Sequence, residues 1–314
     1  DVDNNPQNPV INTRSFGEDP VKVADKVIAY ASGLESGKVL SVCKHFPGHG
    51  DTDVDSHKAL PVLPFTRERL DSVELYPFKE AIRAGVSGMM VGHLQVPVIE
   101  PIGDLPSSLS RNVVYGLLTE ELAFKGLIFT DALAMKGVAG NKSVCLQALQ
   151  AGNDMVLAPR RLKQEMDAVL EAVEKGELPE EEINAKCRKV LTYKYILGLE
   201  RKPFVKLSGL GTRINTPQTR DLISRLNLAA ITVLNNKNDV LPLHPDLKEV
   251  AILNVGKPEE IEPFDRKMKK YTSFARFQLR KDLPEAEQQK LRDSLAAYRR
   301  VIVTVTEQRL APYQ

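Results

Sequence analysis

Hydrophobic positions between residues 38 and 197 follow two alternating periodicities. Short apolar or β-branched runs, which are typical of buried strands, occupy residues 39–43, 88–91, 127–129 and 155–157. The segments between them place apolar residues at helical spacing, and Ser110 is a candidate N-cap at the start of one such segment. Strands that alternate with helices predict a parallel sheet, as either a barrel or a doubly wound layer.

Ionisable residues follow the first three predicted strands. Lys44 and His45 come after the first strand, His93 after the second and Asp131 after the third. The active sites of eight-fold β/α barrels lie at the carboxyl ends of the strands, so this distribution favours a barrel. Only about half of the eight strands can be assigned. The sequence therefore predicts that residues 1–198 are the later part of a (β/α)8 TIM-type barrel whose first strands precede residue 1.

A second unit is predicted after residues 199–215, which have no periodicity and are interpreted as a linker. Thr216 is a candidate cap for a helix that extends to residue 230. Further strands are predicted at residues 231–234, 250–253 and 301–305, with a polar helix at 284–299 before the last. Residues 216–314 are thus predicted to form an incomplete α/β sandwich domain.

Composition excludes several classes of function. The chain is 42% hydrophobic and 27% charged, as in ordinary globular proteins, and its 43 basic and 41 acidic residues give a net charge of +2. No nucleic-acid partner is expected at that charge, and no membrane span is expected because no apolar stretch is long enough. Three cysteines are too few for a disulfide framework or a zinc site. The chain opens without a leader sequence, as a fragment would, so its compartment cannot be judged from targeting signals.

The densest group of ionisable residues is the segment KHFPGHGDTDVDSH, residues 44–57. Its proline and glycines predict a loop, and polar loops on a rigid scaffold are common sites of function, although a solvated surface loop would have the same composition. Zinc or manganese ligation is one functional hypothesis, but the spacing matches no compact metal motif. In the other hypothesis, Asp55 fixes the tautomer of His57, whose second ring nitrogen exchanges a proton with substrate.

Asp131 directly follows the apolar run of the third strand, in the segment GLIFTDALAM. A carboxylate at this end of a barrel strand can attack an anomeric carbon and form a covalent glycosyl-enzyme. The alternative interpretation is a helix N-cap, because aspartate is common before helices.

These segments resemble the β-N-acetylglucosaminidase (β-N-acetylhexosaminidase) branch of glycoside hydrolase family 3. The resemblance is carried by KHFPGHGDTDVDSH, by INTRSFGEDP before it and by FTDALAM after it. In the second unit, ITVLNNKNDVLPL resembles the opening of that family's α/β sandwich domain. The resemblance implies a carbohydrate substrate and requires no cofactor and no metal.

The resemblance also implies roles for individual residues in a retaining mechanism. Asp131 corresponds to the nucleophile, and His57 with Asp55 corresponds to the acid/base on a mobile loop. The residues implied to contact the sugar are Arg14, Lys44, His45 and Met135.

The same resemblance narrows the substrate. Family 3 glucosidases and xylosidases generally take their acid from the second domain and lack the Asp-Ser-His element. Terminal β-linked N-acetylglucosamine, for example on peptidoglycan fragments, is therefore the expected substrate. Because the acid/base is a histidine, the site has no second carboxylate whose negative charge would repel phosphate. Phosphate is therefore tolerable as the acceptor of the glycosyl group. A β-N-acetylglucosaminide phosphorylase, or another family 3 β-glycosidase, is the alternative.

Two hypotheses come from other functional classes. One is a non-catalytic sugar-binding protein on the same scaffold, against which the presence of Asp55, His57 and Asp131 argues. The other is a metal-dependent hydrolase that uses residues 44–57, the histidine-rich loop. By resemblance the expected location is the periplasm or cell envelope, and a cytoplasmic location stays open.

Overall fold

The computed structural model describes residues 1–201, 205–244, 248–280 and 283–306. It contains two compact units, residues 1–205 and a second unit that begins at Lys206. Each unit has its own parallel sheet. Among the described residues, no helix is both long and apolar enough to cross a membrane.

In the described residues, the first unit consists of four strands and of helices that precede, connect and follow them. The strands are β1 (Val42–Phe46), β2 (Gly88–Val91), β3 (Leu127–Ala132) and β4 (Met155–Leu157). The helices are α1 (Pro20–Ser36), α2 (Arg67–Arg69), α3 (Tyr76–Arg83), α4 (Val144–Ala151), α5 (Leu162–Glu174) and α6 (Glu180–Ile196). Two segments have π-helical geometry, Leu70–Glu74 and Asn112–Glu121. Short 3-10 turns occupy Asn12–Arg14, Ser107–Leu109, Lys136–Val138 and Leu199–Arg201.

The four strands are parallel and lie in chain order, β1-β2-β3-β4. The first strand differs from its prediction, because it spans Val42–Phe46 instead of residues 39–43. Its pairing with β2 shifts register between Cys43 and Phe46, which lets the strand continue through polar residues. Lys44 and His45 consequently lie within β1, and Asp131 lies within β3, instead of beyond the strand ends.

Local capping fixes where several helices begin. Asp19 accepts hydrogen bonds from the backbone N–H groups of Val21 and Lys22 at the start of α1. The side chain of Ser110 accepts from the N–H of Val113, so the capping role predicted for it is confirmed. The buried face of the segment that follows consists of Val113, Val114, Leu117 and Leu118.

Two hydrophobic cores support the sheet. The larger lies between the sheet and the helices that follow its strands, and its buried members include Phe46, Leu70, Phe78, Met89 and Leu118. The smaller lies beneath the segment that follows β3 and consists of Leu109, Leu133, Val138, Val144, Cys145 and Ala148. Ile128 and Leu133, which flank Asp131 in the chain, are therefore anchored by burial, which fixes the position of the strand end.

The second unit has a three-stranded parallel sheet in the order β6-β5-β7. Its strands are β5 (Val250–Val255), β6 (Phe274–Leu279) and β7 (Arg300–Val305), and its helices are α7 (Leu210–Ile214), α8 (Pro217–Ala230), α9 (Glu262–Met268) and α10 (Glu285–Ala296). The strand predicted at residues 231–234 is wrong: this apolar run is exposed and pairs with no strand among the described residues. The half-buried β6 was not predicted, and α7 lies within the predicted linker.

Candidate active site

His45 joins three separate segments of the chain. Its Nδ1 lies 2.8 Å from Oδ2 of Asp1, and its Nε2 lies 3.5 Å from Nη2 of Arg14 and 3.9 Å from Oδ2 of Asp131. Because a guanidinium nitrogen only donates, Nε2 accepts, and Nδ1 carries the proton that is donated to Asp1. The structure thus brings together Arg14, His45 and Asp131, three of the residues predicted for the site.

Asp1 is a site residue that the sequence did not suggest. Its Oδ1 also accepts from the backbone N–H of His45 at 2.9 Å and of His49 at 2.8 Å. One carboxylate therefore holds both the ring of His45 and the backbone at the start of the histidine-rich loop. No local motif marks Asp1 for this role, since its partners are more than 40 residues away in the chain.

Burial determines the charge state of His45, whose residue is 5% exposed. Burial lowers the pKa of this histidine, while the negative charge of Asp131 acts in the opposite direction. A neutral ring with its proton on Nδ1 presents Nε2 as an acceptor beside the carboxylate of Asp131. This ring is therefore suited to hold a hydroxyl group, and it is poorly suited to supply a proton at neutral pH.

Asp131 lies near the end of β3 with its side chain 18% exposed. Its Oδ1 accepts from the backbone N–H of Ala132 at 2.7 Å, and its Oδ2 faces His45. The next helical turn starts only at Lys136, so Asp131 does not cap a helix. The N-cap interpretation is thus wrong, and the carboxylate keeps an oxygen open to a ligand.

Asp55 and His57 form the predicted pair. Asp55 Oδ1 lies 2.8 Å from Nδ1 of His57 and accepts from its backbone N–H at the same distance. Burial raises the pKa of Asp55, but the hydrogen bonds from His57 and its positive charge outweigh this and lower it. The His57 side chain is 61% exposed, and in the described part of the chain its Nε2 has no hydrogen-bond partner. That nitrogen is free to exchange a proton with a ligand.

Lys44 and Met135 take different positions around these groups. Lys44 is exposed on β1, and Met135 is buried in the turn after β3, where its N–H donates to Ala132 O at 3.0 Å. Arg14 and Lys44 also border a cavity of about 470 Å³ beside β1, whose other walls are mostly apolar. Neither Asp131 nor His57 lines this cavity, so it is not the candidate catalytic pocket.

His93 supports the strand that carries Asp131. Its Nε2 donates to the carbonyl oxygen of Ala132 at 3.1 Å, and its Nδ1 accepts from the hydroxyl of Ser108 at 2.7 Å. Burial lowers the pKa of His93, which favours this neutral ring. His93 therefore fixes the residue after Asp131, and both of its ring nitrogens are occupied.

The histidine-rich loop has no arrangement of metal ligands in the described residues. No group of three or more His, Cys, Asp or Glu side chains there is placed to hold a metal ion. Both ring nitrogens of His45 and of His49 already have protein partners. The geometry of the loop thus favours hydrogen bonding by these rings over ligation.

Residues 1–193 match the family described as the "Glycosyl hydrolase family 3 N terminal domain". The chain belongs to glycoside hydrolase family 3. This membership confirms the resemblance drawn from the motifs. The family's N-terminal domain is a TIM-type barrel, and the four parallel strands of the first unit are part of one. The chain spans about half the length of the curated relatives that it matches.

Proteins similar to this chain include a β-hexosaminidase, a β-N-acetylglucosaminidase and a phosphorylase. The chain is 34% identical to beta-hexosaminidase A of Pseudoalteromonas piscicida over 275 residues, which covers 81% of this chain and 45% of that protein. A solved family 3 beta-N-acetylglucosaminidase from a Paenibacillus species superposes with a TM-score of 0.81 at 32% identity, over 97% of this chain and 60% of that one. The beta-glucoside phosphorylase BglX superposes with a TM-score of 0.84 at 25% identity, over 98% and 60%.

Proposed function

We propose that the protein carrying this chain is a retaining β-N-acetylglucosaminidase, which hydrolyses terminal β-linked N-acetylglucosamine, including that on peptidoglycan fragments. The observation that carries the proposal is the Asp55–His57 pair, joined at 2.8 Å on the loop that follows β1. The activities for which the β-hexosaminidase and β-N-acetylglucosaminidase relatives are named support the class of substrate.

The proposed reaction has two steps. In the first, a carboxylate oxygen of Asp131 attacks the anomeric carbon while protonated His57 gives the Nε2 proton to the departing glycosidic oxygen. The products are a covalent glycosyl-enzyme and the free aglycone. In the second, neutral His57 takes a proton from water as the water oxygen attacks the same carbon and releases Asp131. Asp55 stabilises the positive charge on His57 and keeps its Nδ1 protonated.

Sugar binding is assigned to the groups around Asp131. Nη2 of Arg14 lies 3.5 Å from Nε2 of His45, a long contact that a sugar hydroxyl can replace by accepting from Arg14 and donating to Nε2. Lys44 is proposed to bind a further hydroxyl, and Met135 to supply apolar contact at the wall of the site.

A β-N-acetylglucosaminide phosphorylase is the second candidate. Its support is the similarity to BglX over 98% of the chain and the histidine acid/base itself. With histidine in place of a second carboxylate, less negative charge opposes the approach of phosphate. In that case phosphate replaces water in the second step and the product is a glycosyl phosphate.

The test is to assay the full-length protein for nitrophenol release from the β-N-acetylglucosaminide and the β-glucoside. We expect strong preference for the N-acetyl sugar, no effect of EDTA, and loss of at least about a thousandfold in Asp131→Asn. Asp167→Asn is the matched control: Asp167 lies exposed on α5 and pairs with Lys163, so its loss is expected to leave turnover unchanged.

Each contrary result removes a definite part of the proposal. Turnover that survives Asp131→Asn contradicts the covalent mechanism, and turnover that EDTA abolishes supports the metal hypothesis. A rate that depends on added phosphate, with glycosyl phosphate as product, replaces hydrolysis by phosphorolysis. Binding of the sugar without any turnover supports the non-catalytic alternative.

A further inference from the structure

Between Asp55 and His57 lies Ser56, a residue that the proposed chemistry does not use. Its hydroxyl lies 2.9 Å from Nε2 of His49, and on the other side of that ring Nδ1 lies 2.7 Å from Oγ1 of Thr52. His49, Thr52 and Ser56 are 1%, 3% and 2% exposed. The ring of His49 is therefore a buried bridge across the loop that carries the acid/base pair.

The direction of these hydrogen bonds follows from the number of protons available. The Thr52 hydroxyl donates its single proton to the carbonyl oxygen of His49 at 3.1 Å, so Nδ1 of His49 donates to Thr52. Burial lowers the pKa of His49 to about 4, which keeps the ring neutral near pH 7. In a neutral ring Nε2 then accepts, and Ser56 is its donor.

Ser56 is held on its other side by the segment that follows the nucleophile. Its carbonyl oxygen accepts from the N–H of Gly137 at 3.3 Å. A Cβ at Gly137 would lie 3.2 Å from Ser56 O and 3.1 Å from Cβ of His93, so a side chain there would push the two segments apart by a few tenths of an ångström. Ser56 thus links the ring of His49 to the segment after β3.

The acid/base pair itself has few other attachments. Among the described residues, the side chains of Asp55 and His57 are hydrogen-bonded only to each other and within their own turn, and the His57 ring is 61% exposed. The position of the pair is therefore set by its backbone, and Ser56 is the buried residue of that backbone.

We propose that His49 is a positioning residue that acts through Ser56 to hold the Asp55–His57 pair in reach of the departing glycosidic oxygen. This inference rests on the proposed glycosidase function. It assigns His49 no contact with substrate and no proton transfer, because both of its ring nitrogens are occupied by Thr52 and Ser56.

The test compares two substrates in Ser56→Ala of the full-length protein. The disaccharide of β-linked N-acetylglucosamine needs a proton on its leaving oxygen, whereas the dinitrophenyl glycoside does not. General acid catalysis contributes about 10²–10⁴-fold, so a displaced acid is expected to lower kcat/KM for the disaccharide by about 10–100-fold. For the dinitrophenyl glycoside, kcat/KM is expected to change by less than about threefold, because it reports only the first step.

Ser110→Ala is the matched control. Ser110 is another fully buried serine whose hydroxyl donates to a side chain, Glu100, but it lies outside the loop. Its loss is expected to lower both kcat/KM values equally or not at all. Ser56→Cys keeps a weak donor of similar size. Its ratio of kcat/KM for the disaccharide to kcat/KM for the dinitrophenyl glycoside is expected to lie between the ratios of the unaltered protein and of Ser56→Ala. This variant also serves if Ser56→Ala does not fold.

Equal losses on both substrates in Ser56→Ala and in Ser56→Cys, or no loss on either, would overturn the positioning role while leaving the glycosidase function in place. If the unaltered protein hydrolyses neither substrate, the proposed function fails and this inference fails with it.

Discussion

Replacement of Arg69 by methionine tests the ion pairs that attach Asp51 of the histidine-rich loop to Arg69 and Glu74. Nη2 of Arg69 lies 2.9 Å from Oδ2 of Asp51 in the loop and 2.9 Å from Oε1 of Glu74. Glu74 is 2% exposed, and its Oε2 has no hydrogen-bond partner in the described residues. Methionine keeps an apolar side chain of similar length next to Phe65, which the guanidinium now covers at 4.7 Å. It removes the charge that compensates Glu74.

The expected loss of stability follows from the burial of the two partners. Removing one partner of a buried ion pair costs about 3–5 kcal/mol, because the other charge stays buried and uncompensated. The Arg69 side chain is 35% exposed, so solvent already screens part of this interaction. We therefore expect the free energy of unfolding to fall by about 2–3 kcal/mol near pH 7, which is less than the cost for a fully buried ion pair.

The loss of stability in Arg69→Met is expected to depend on pH. Burial raises the pKa of Glu74 above its usual value, and loss of Arg69 raises it further. The folded protein then keeps a proton on Glu74 at a pH where the unfolded chain has lost it. The deficit of Arg69→Met is thus full above the raised pKa, and it shrinks as the pH falls through that value.

Denaturant unfolding of four proteins between about pH 7 and pH 4 measures this: the unaltered protein, Arg69→Met, Glu74→Gln and the double variant. We expect Glu74→Gln to recover most of the stability in the double variant, since no buried charge remains. A loss below about 0.5 kcal/mol in Arg69→Met, a deficit independent of pH, or additive effects in the double variant would refute the reasoning.

Three further outcomes are expected. Because the pKa of His49 is lowered to about 4, its contribution to stability is present above the usual value of 6.5 and is lost as the pH falls toward 4; thermal unfolding against pH is expected to show a smaller decline in His49→Gln. Leu118→Ala, at a fully buried core position, is expected to cost about 2–5 kcal/mol in denaturant unfolding, and Leu118→Met less than about 1.5. Gly50→Ala places a Cβ 1.7 Å from the carbonyl oxygen of Val2, so loss of the cooperative thermal transition is expected, whereas Gly103→Ala meets no atom within 4 Å and is expected to keep it.

Local signals in the sequence predict much of the first unit and one helix of the second. The alternation of apolar runs with helical spacing predicts the parallel sheet, and Ser110 and Thr216 act as caps as their positions indicate. The caps depend on neighbours within four residues, and the strands and helices are each indicated by the local spacing of apolar residues. The Asp55–His57 contact is predictable for the same reason, because the two residues are two positions apart.

The parts that sequence did not predict depend on distant partners. Asp1 meets His45 across 44 positions, and Arg14 meets it across 31, so neither contact has a local pattern. Strand β1 runs through Lys44 and His45 because β2 pairs with it on both sides of them, at Cys43 and at Phe46, even though the polar residues resemble a loop. In the opposite case, residues 231–234 have strand-like side chains and no strand to pair with in the described part of the second unit.

Burial gives the three histidines of the segment KHFPGHGDTDVDSH different chemistry. His45 and His49 are 5% and 1% exposed, and burial lowers the pKa of both, so each is a neutral ring at neutral pH with fixed hydrogen-bond directions. Such rings orient groups, but protonating them costs free energy. His57 alone of the three has a mostly exposed ring, and its Nδ1 lies 2.8 Å from Oδ1 of Asp55. A residue that must give a proton in one step and take one in the next needs a ring nitrogen that a substrate can reach. Of these three histidines, only His57 has such a nitrogen in the described part of the chain, which supports the acid/base role proposed for it.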